Sequence, residues 1–222
     1  MRVIDRVREK TDTVLLYYSA GGKDSIALLD MVAPKFKKVI CVHEYLIKGL
    51  KHFQPYFDWI KRYGNCELML VEHPIRLLDL HNGIFCDPRP DVKELSFGQV
   101  EEMVRNQTGI KYAFSGMKGV DGFMKRMRLK LWAKDDWINP KGMVYPLALW
   151  TNPEVLRFVS KRNLIKPFSY GKSTEKQLGQ GFVMAEPQLL YLIKNYPEDY
   201  DKVVREFPYV ETLMYQYLNK QN

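Results

Sequence analysis

The sequence predicts an α/β fold, a parallel twisted sheet of about five strands with helices on both faces, followed by a helical C-terminal part. Three observations carry that expectation. Short apolar, β-branched runs alternate with amphipathic runs of helical period, which is the rhythm of βαβ units. Two of the strand-like runs end in glycine turns, at Ser19–Ser25 and at Gly116–Asp121. Beyond residue 150 only helical patterns recur.

Taken in order, residues 1–12 are polar and alternate in charge, which suits a short helix or arm. Thr13–Tyr18 is apolar and rich in β-formers and reads as a buried strand; Ile26–Val32 follows as a helix with a broad apolar face. Lys38–His43 predicts a second strand, Glu44–Leu50 a loop, and Lys51–Tyr63 a helix turning Phe53, Phe57 and Ile60 to the core. Gly64 ends that helix, and Glu67–Val71 supplies a third strand. Pro74, Gly83, Pro88 and Pro90 predict a loop across residues 72–91. A helix is expected from about Asp91 to Thr108 with Gly109 as its C-cap, then a fourth strand at Lys111–Ser115. In Gly122–Lys134, Phe123, Met127 and Leu131 recur every four residues, and so do Arg126, Lys130 and Lys134. Asp136–Pro146 reads as a short hairpin or extended pair turned at Asn139–Gly142. Thr151 caps a helix running to about Asn163, with Pro153 and Glu154 in its first turn. Glu186–Asn222 is helical, broken at Pro197 and Pro208. Its aromatic residues, Tyr191, Tyr196, Tyr200, Phe207, Tyr209, Tyr215 and Tyr217, offer a helical cap or a homo-oligomer surface.

At 222 residues and 46% hydrophobic the chain can bury a real core. A formal net charge of +8 points to polyanionic partners: nucleotides, nucleic acid or anionic sulfur esters. No apolar run reaches membrane-spanning length, and the N-terminus lacks a signal-peptide pattern, so a cytoplasmic protein without membrane contact is expected. The three cysteines, Cys41, Cys66 and Cys86, contain no CxxC pair, so neither structural zinc nor an iron–sulfur cluster is expected.

The chemistry concentrates at Tyr18–Ser25. A strand, a tight glycine turn and a helix N-terminus expose backbone N–H groups beside the positive end of a helix dipole, and Lys23 adds a full charge. That suits a phosphate chain. The loop is not a Walker A sequence, because Asp24 rather than Ser or Thr follows Lys23, and it lacks the three spaced glycines of the dinucleotide fingerprint. Gly21, Gly22, Lys23, Asp24 and Ser25 instead resemble the SGGKDS loop of the PP-loop ATP pyrophosphatases, the adenine-nucleotide α-hydrolase-like superfamily. Within it the chain looks most like the phosphoadenylyl-sulfate reductase-like branch. The resemblance departs at the leading serine: aligned without a gap that place is Ala20, with Ser19 one residue upstream. Either an inserted residue keeps Ser19 in the role or a backbone amide replaces it.

Further residues extend the resemblance. Gly116-Met117-Lys118-Gly119-Val120-Asp121 is similar to the family's glycine turn after the fourth strand, with Lys118 where arginine is usual. Pro146–Leu156, with Trp150 and Thr151, resembles a further family segment. The resemblance implies a nucleotide-binding domain over residues 1–150 and a helical extension, 151–222, packed on it. It implies ATP with Mg²⁺ as the bound nucleotide, held by Ser19 to Ser25, Gly116 and Lys118, with Asp24 as metal ligand and His43 near the adenosine. His43 reads equally well as a surface histidine at a strand end. Lys23, Asp24, Lys118 and Arg126 are the candidate catalytic residues. Arg128, Tyr170, Lys172 and Cys86 are candidates for the acceptor side. The basic residues from Lys118 to Lys134 read equally well as a solvated face, and Cys86 as an inert thiol.

The implied reaction is cleavage of ATP between the α- and β-phosphates, releasing pyrophosphate and activating an acceptor for sulfur or nitrogen transfer. Two other readings stand beside it. In one the substrate is adenylyl sulfate or its 3′-phosphate with an external thiol as reductant, since no cysteine follows Cys86 in this sequence. In the other the chain is a non-catalytic subunit that binds a nucleotide or nucleic acid.

Overall fold

The computed structural model describes residues 2–167 and 182–220, residues 216–220 by backbone alone. Five strands, β1 (Thr13–Tyr17), β2 (Lys38–Tyr45), β3 (Cys66–Glu72), β4 (Ala113–Phe114) and β5 (Met143–Val144), form one sheet in the order β3-β2-β1-β4-β5. Every pairing within it is parallel, with Leu16 opposite Cys41 on one side and Phe114 on the other. The reversal expected over Asp136–Pro146 is present: Asn139 N–H donates to the Met143 carbonyl at 2.9 Å, Tyr145 N–H to the Trp137 carbonyl at 3.0 Å, and Ile138 bridges Val144 antiparallel, while Met143–Val144 also joins the sheet beside β4.

Alternate residues of β1 feed two cores, as the period of a strand requires. Val14, Leu16 and Tyr18 pack with α1 (Arg2–Arg8), α2 (Lys23–Val32) and α3 (Gln54–Lys61). Leu15 packs on the other face with Val100 and Val104 of α5 (Phe97–Thr108).

Two boundaries differ from expectation for local reasons. The stretch read as a loop contains a helix, α4 (Pro74–Asn82): His73 caps it by accepting from the Ile75 N–H, Pro74 fills the first position where no donor is needed, and Gly83 closes it at φ 73°. The following helix, α5, begins six residues later than Asp91, at Phe97, where Ser96 and Gln99 form a reciprocal capping box. After α6 (Phe123–Leu131) and β5, α7 (Asn152–Lys161) starts at a second such box, Thr151 with Glu154.

The C-terminal helices α8 (Glu186–Asn195), α9 (Pro197–Glu206) and α10 (Val210–Lys220) share the larger core, through Leu189, Leu192, Val203, Phe207 and Val210. Fully buried Asp199 ties α9 to the strand-bearing part, accepting from the backbone N–H groups of Lys51 (2.7 Å) and His52 (2.9 Å). Of the C-terminal aromatic residues Phe207 is buried, Tyr191, Tyr196 and Tyr200 are half-buried, and Tyr209 and Tyr215 are exposed; the side chain of Tyr217 lies outside the described residues. Among the described residues no helix is long and apolar enough to cross a membrane.

Candidate functional site

The strand order reverses at β1: the chain runs outward through β2 and β3, then returns to lay β4 on the other side. The loops leaving β1 and β4 diverge there and open a crevice, the place where parallel sheets bind ligands.

The first loop is wound tightly. Gly21 takes φ 76°, Gly22 N–H donates to the Ser19 carbonyl at 3.0 Å, and Ser19 N–H donates to Ser25 Oγ at 2.9 Å. Gly22 stands at the N-cap of α2 and no side chain caps the helix, so its first amides face the crevice with the positive end of the dipole. Ser19 lines the crevice while Ala20 is buried.

The second loop docks directly on the first. Lys118 is completely buried, its Nζ 2.7 Å from Asp24 Oδ2 and 3.0 Å from Asp121 Oδ1. Lys23 Nζ reaches the same Asp24 oxygen at 2.8 Å. Two ammoniums and two carboxylates therefore alternate across the β1–β4 boundary. Asp24 Oδ1 is buried with no hydrogen-bond partner among the described residues. Gly116 allows this closeness, because a Cβ there would sit 3.0 Å from the Asp24 Cβ. Lys118 thus lies beneath the cleft floor, clamping Asp24, and does not project into the opening.

Above the clamp lies a cleft of about 910 Å³, walled by the two loops, by Val120 and Lys125, and by Asn152, Pro153 and Leu156 of α7. A second cavity of about 530 Å³ adjoins it, sharing Tyr17 and Ser19. Its walls are mainly apolar, with Val42, Leu46, Ile47 and Phe53 among them. His43 lines this cavity rather than the surface; its Nδ1 lies 3.0 Å from the Tyr18 carbonyl, and burial pushes its pKa down to about 4. Glu44 also lines it, its carboxyl pushed up to about 7 by burial and by the charge of Glu101. The Tyr17 hydroxyl, between the two cavities, is buried without a partner among the described residues.

The remaining expected site residues fall elsewhere. Arg126 and Arg128 are exposed on α6 and neither lines the cleft; Arg126 Nε donates to the Gly119 carbonyl at 3.3 Å. Cys86 is buried, lines neither cavity, and burial pushes its thiol pKa up, the reverse of an activated thiolate. Tyr170 and Lys172 lie outside the described residues. Glu44 follows the expected second strand beside His43 on the same rim, and Lys125 belongs to the basic run after the second glycine turn, so only Tyr17 carries no motif signal of its own. The even–odd alternation along β1 and β2, which puts Tyr17 and Glu44 on one face, is the signal that could have flagged it.

A parallel sheet with two interlocked glycine loops at its reversal point defines a Rossmann-like α/β class built to hold a ligand at that edge. The family model of the phosphoadenosine phosphosulfate reductase domain matches residues 14–168, which take in both loops and the whole of α7. The chain belongs to this family, in the PP-loop superfamily, and is a sulfur-transfer or nucleotide-using enzyme of it. No curated protein sequence matches it. Among solved structures, the U34-tRNA thiolase NcsA from Methanococcus maripaludis with its [4Fe-4S] cluster is similar over 96% of this chain and 78% of that one, at 18% identity and a TM-score of 0.47.

That structure corrects one expectation. The lack of a CxxC pair was read as the lack of an iron–sulfur cluster, yet a cluster is present in a protein similar to this chain. The expected absence of a cluster is therefore withdrawn. Among the described residues no group of three or more histidine, cysteine or acidic side chains is arranged to hold a metal ion.

Proposed function

We propose that the protein binds ATP across the two adjoining cavities and cleaves it between the α- and β-phosphates, releasing pyrophosphate and activating an acceptor for sulfur or nitrogen transfer. The observation that carries this reading is the Lys23–Asp24–Lys118–Asp121 clamp beneath an uncapped helix N-terminus. A polyphosphate needs convergent amides and ammonium charge, and the β1 loop offers both on one side of the cleft. The apolar cavity beside it suits an adenine and its ribose, with neutral His43 and protonatable Glu44 as polar edges.

In this reading the amides of Gly22 to Ser25 and the Lys23 ammonium hold the departing pyrophosphate. The magnesium that travels with ATP is part of the substrate, and the unpartnered Asp24 Oδ1 is the oxygen suited to it. Lys118 positions Asp24. Lys125 at the mouth, with Arg126 behind it, meets charge that develops at the α-phosphorus as the acceptor attacks. Most of the rate comes from positioning and fixed charge, because transfer of a phosphoryl-type group asks for little covalent help. Residues 1–150 supply the nucleotide site, and α7 with Phe182, Val183 and Met184 walls it.

The test is pyrophosphate release from ATP and Mg²⁺ under single-turnover conditions. Release that persists in a Lys23→Ala/Asp24→Asn double variant would overturn the assignment. The family match favours one second reading, adenylyl sulfate or its 3′-phosphate in the same cleft with an external thiol as reductant. Competition of these sulfonucleotides against ATP for the site separates the two.

A further inference from the structure

Helix α6 is built inside out. Of its nine residues, Phe-Met-Lys-Arg-Met-Arg-Leu-Lys-Leu, only Leu129 is buried. At the 100° step of a helix, Phe123, Met124, Met127 and Leu131 form one stripe on the side opposite Leu129. They are 68%, 74%, 46% and 62% exposed. Arg126 and Lys130 flank one side of the stripe and Arg128 the other. Among the described residues no carboxylate pairs with Lys125, Arg126, Arg128, Lys130 or Lys134. The helix begins beside the cleft: Val120, Asp121 and Lys125 line it, Lys125 on the side of α6 nearer Leu129, while the four stripe residues turn away from it.

A solvated face has no use for four large apolar side chains, and a second copy of this helix would bring like charges together. The occupant has to be polyanionic and to offer apolar faces between its charges. We infer that α6 docks a single-stranded or unpaired stretch of nucleic acid, phosphates on the flanking Arg126, Arg128 and Lys130, one base stacked on Phe123 and apolar contact from Met127 and Leu131, and so holds that strand beside the cleft as the acceptor. Unpaired strands are held in this way, by a basic track with stacking residues between. A duplex buries its base faces and would use only the cations. The inference rests on the proposed function for its acceptor role, but the strand-binding surface stands without it.

The test is fluorescence anisotropy of the full chain with labelled single-stranded RNA, single-stranded DNA and the matching duplex, across a series of salt concentrations. ATP binding by the same proteins is measured in parallel. The expected result is single-strand binding that outcompetes duplex and weakens steeply with salt. Phe123→Ala should cost about ten-fold in strand affinity with the salt slope unchanged. Lys130→Glu with Lys134→Glu should weaken binding and flatten the slope by about 1.4, two phosphate contacts for a single strand. ATP affinity should be unaltered in both. Equal binding of duplex, affinity insensitive to both variants, or capture only by phosphatidylserine vesicles would overturn the inference. Loss of ATP binding by the wild-type chain with strand binding intact would instead remove the proposed function and leave the docking surface.

Discussion

Lys118, on the loop after β4, buries its Nζ 2.7 Å from the Asp24 carboxylate of α2, so the two glycine loops are locked to each other by a charge pair. A lysine with no exposure is tolerable only because a second carboxylate, Asp121, lies 3.0 Å away. The clamp fixes the spacing of the crevice before any ligand arrives.

Replacing Lys118 by methionine keeps the volume and removes the charge, leaving two carboxylates facing each other. Breaking a buried pair from one side costs about 3–5 kcal/mol. Urea denaturation of Lys118→Met should show a loss of that order. Adding Asp121→Asn should recover part of it, and no recovery would mean that the cost is one of packing.

Gly116 and Gly142 make a matched pair of substitutions. A Cβ on Gly116 meets the Asp24 Cβ at 3.0 Å, so Gly116→Ala pushes the two loops apart and should weaken ATP binding about ten-fold, with a stability loss of about 1 kcal/mol. Gly142, at φ 84° with the Lys111 carbonyl 2.7 Å from a Cβ, lies before β5 and away from the cleft. Gly142→Ala should cost about 1–3 kcal/mol in stability. In surviving folded protein ATP affinity should stay at the wild-type value, measured by calorimetry on both variants.

His43 gives a pH signature. Its folded pKa is about 4 against an ordinary 6.5, because burial disfavours the cation. The unfolded chain therefore binds the proton first, and stability present above pH 6.5 falls as pH drops toward 4, by up to about 3 kcal/mol. His43→Phe should flatten that part of the stability–pH curve, whatever it does to stability at pH 7. An unchanged slope between pH 6.5 and 4 would place the proton uptake elsewhere.

The parallel sheet, its strand count and both glycine loops were legible because periodicity and turn chemistry are local. Thr13–Tyr17 alternates between two cores and shows it in the sequence. What escaped depends on context. Pro74 was read as a breaker, yet at the first position of a helix it is a favoured residue, and His73 is an uncommon cap. The Ser96–Gln99 box was written in the sequence and overlooked. The outward turn of Phe123, Met127 and Leu131 was illegible, since periodicity gives a face but not which side of the helix meets the core. Lys118 looked like a phosphate ligand because nothing local reveals that Asp24 would bury it.

The most direct test of the account is a crystal structure of the protein with magnesium and an α,β-methylene analogue of ATP. The account predicts the β- and γ-phosphates within hydrogen-bond distance of the Gly22–Ser25 amides and Lys23, with the adenine in the cavity lined by Val42, His43 and Phe53. Phosphates bound away from the β1 loop, or a nucleotide lying wholly outside the β1–β4 crevice, would contradict it.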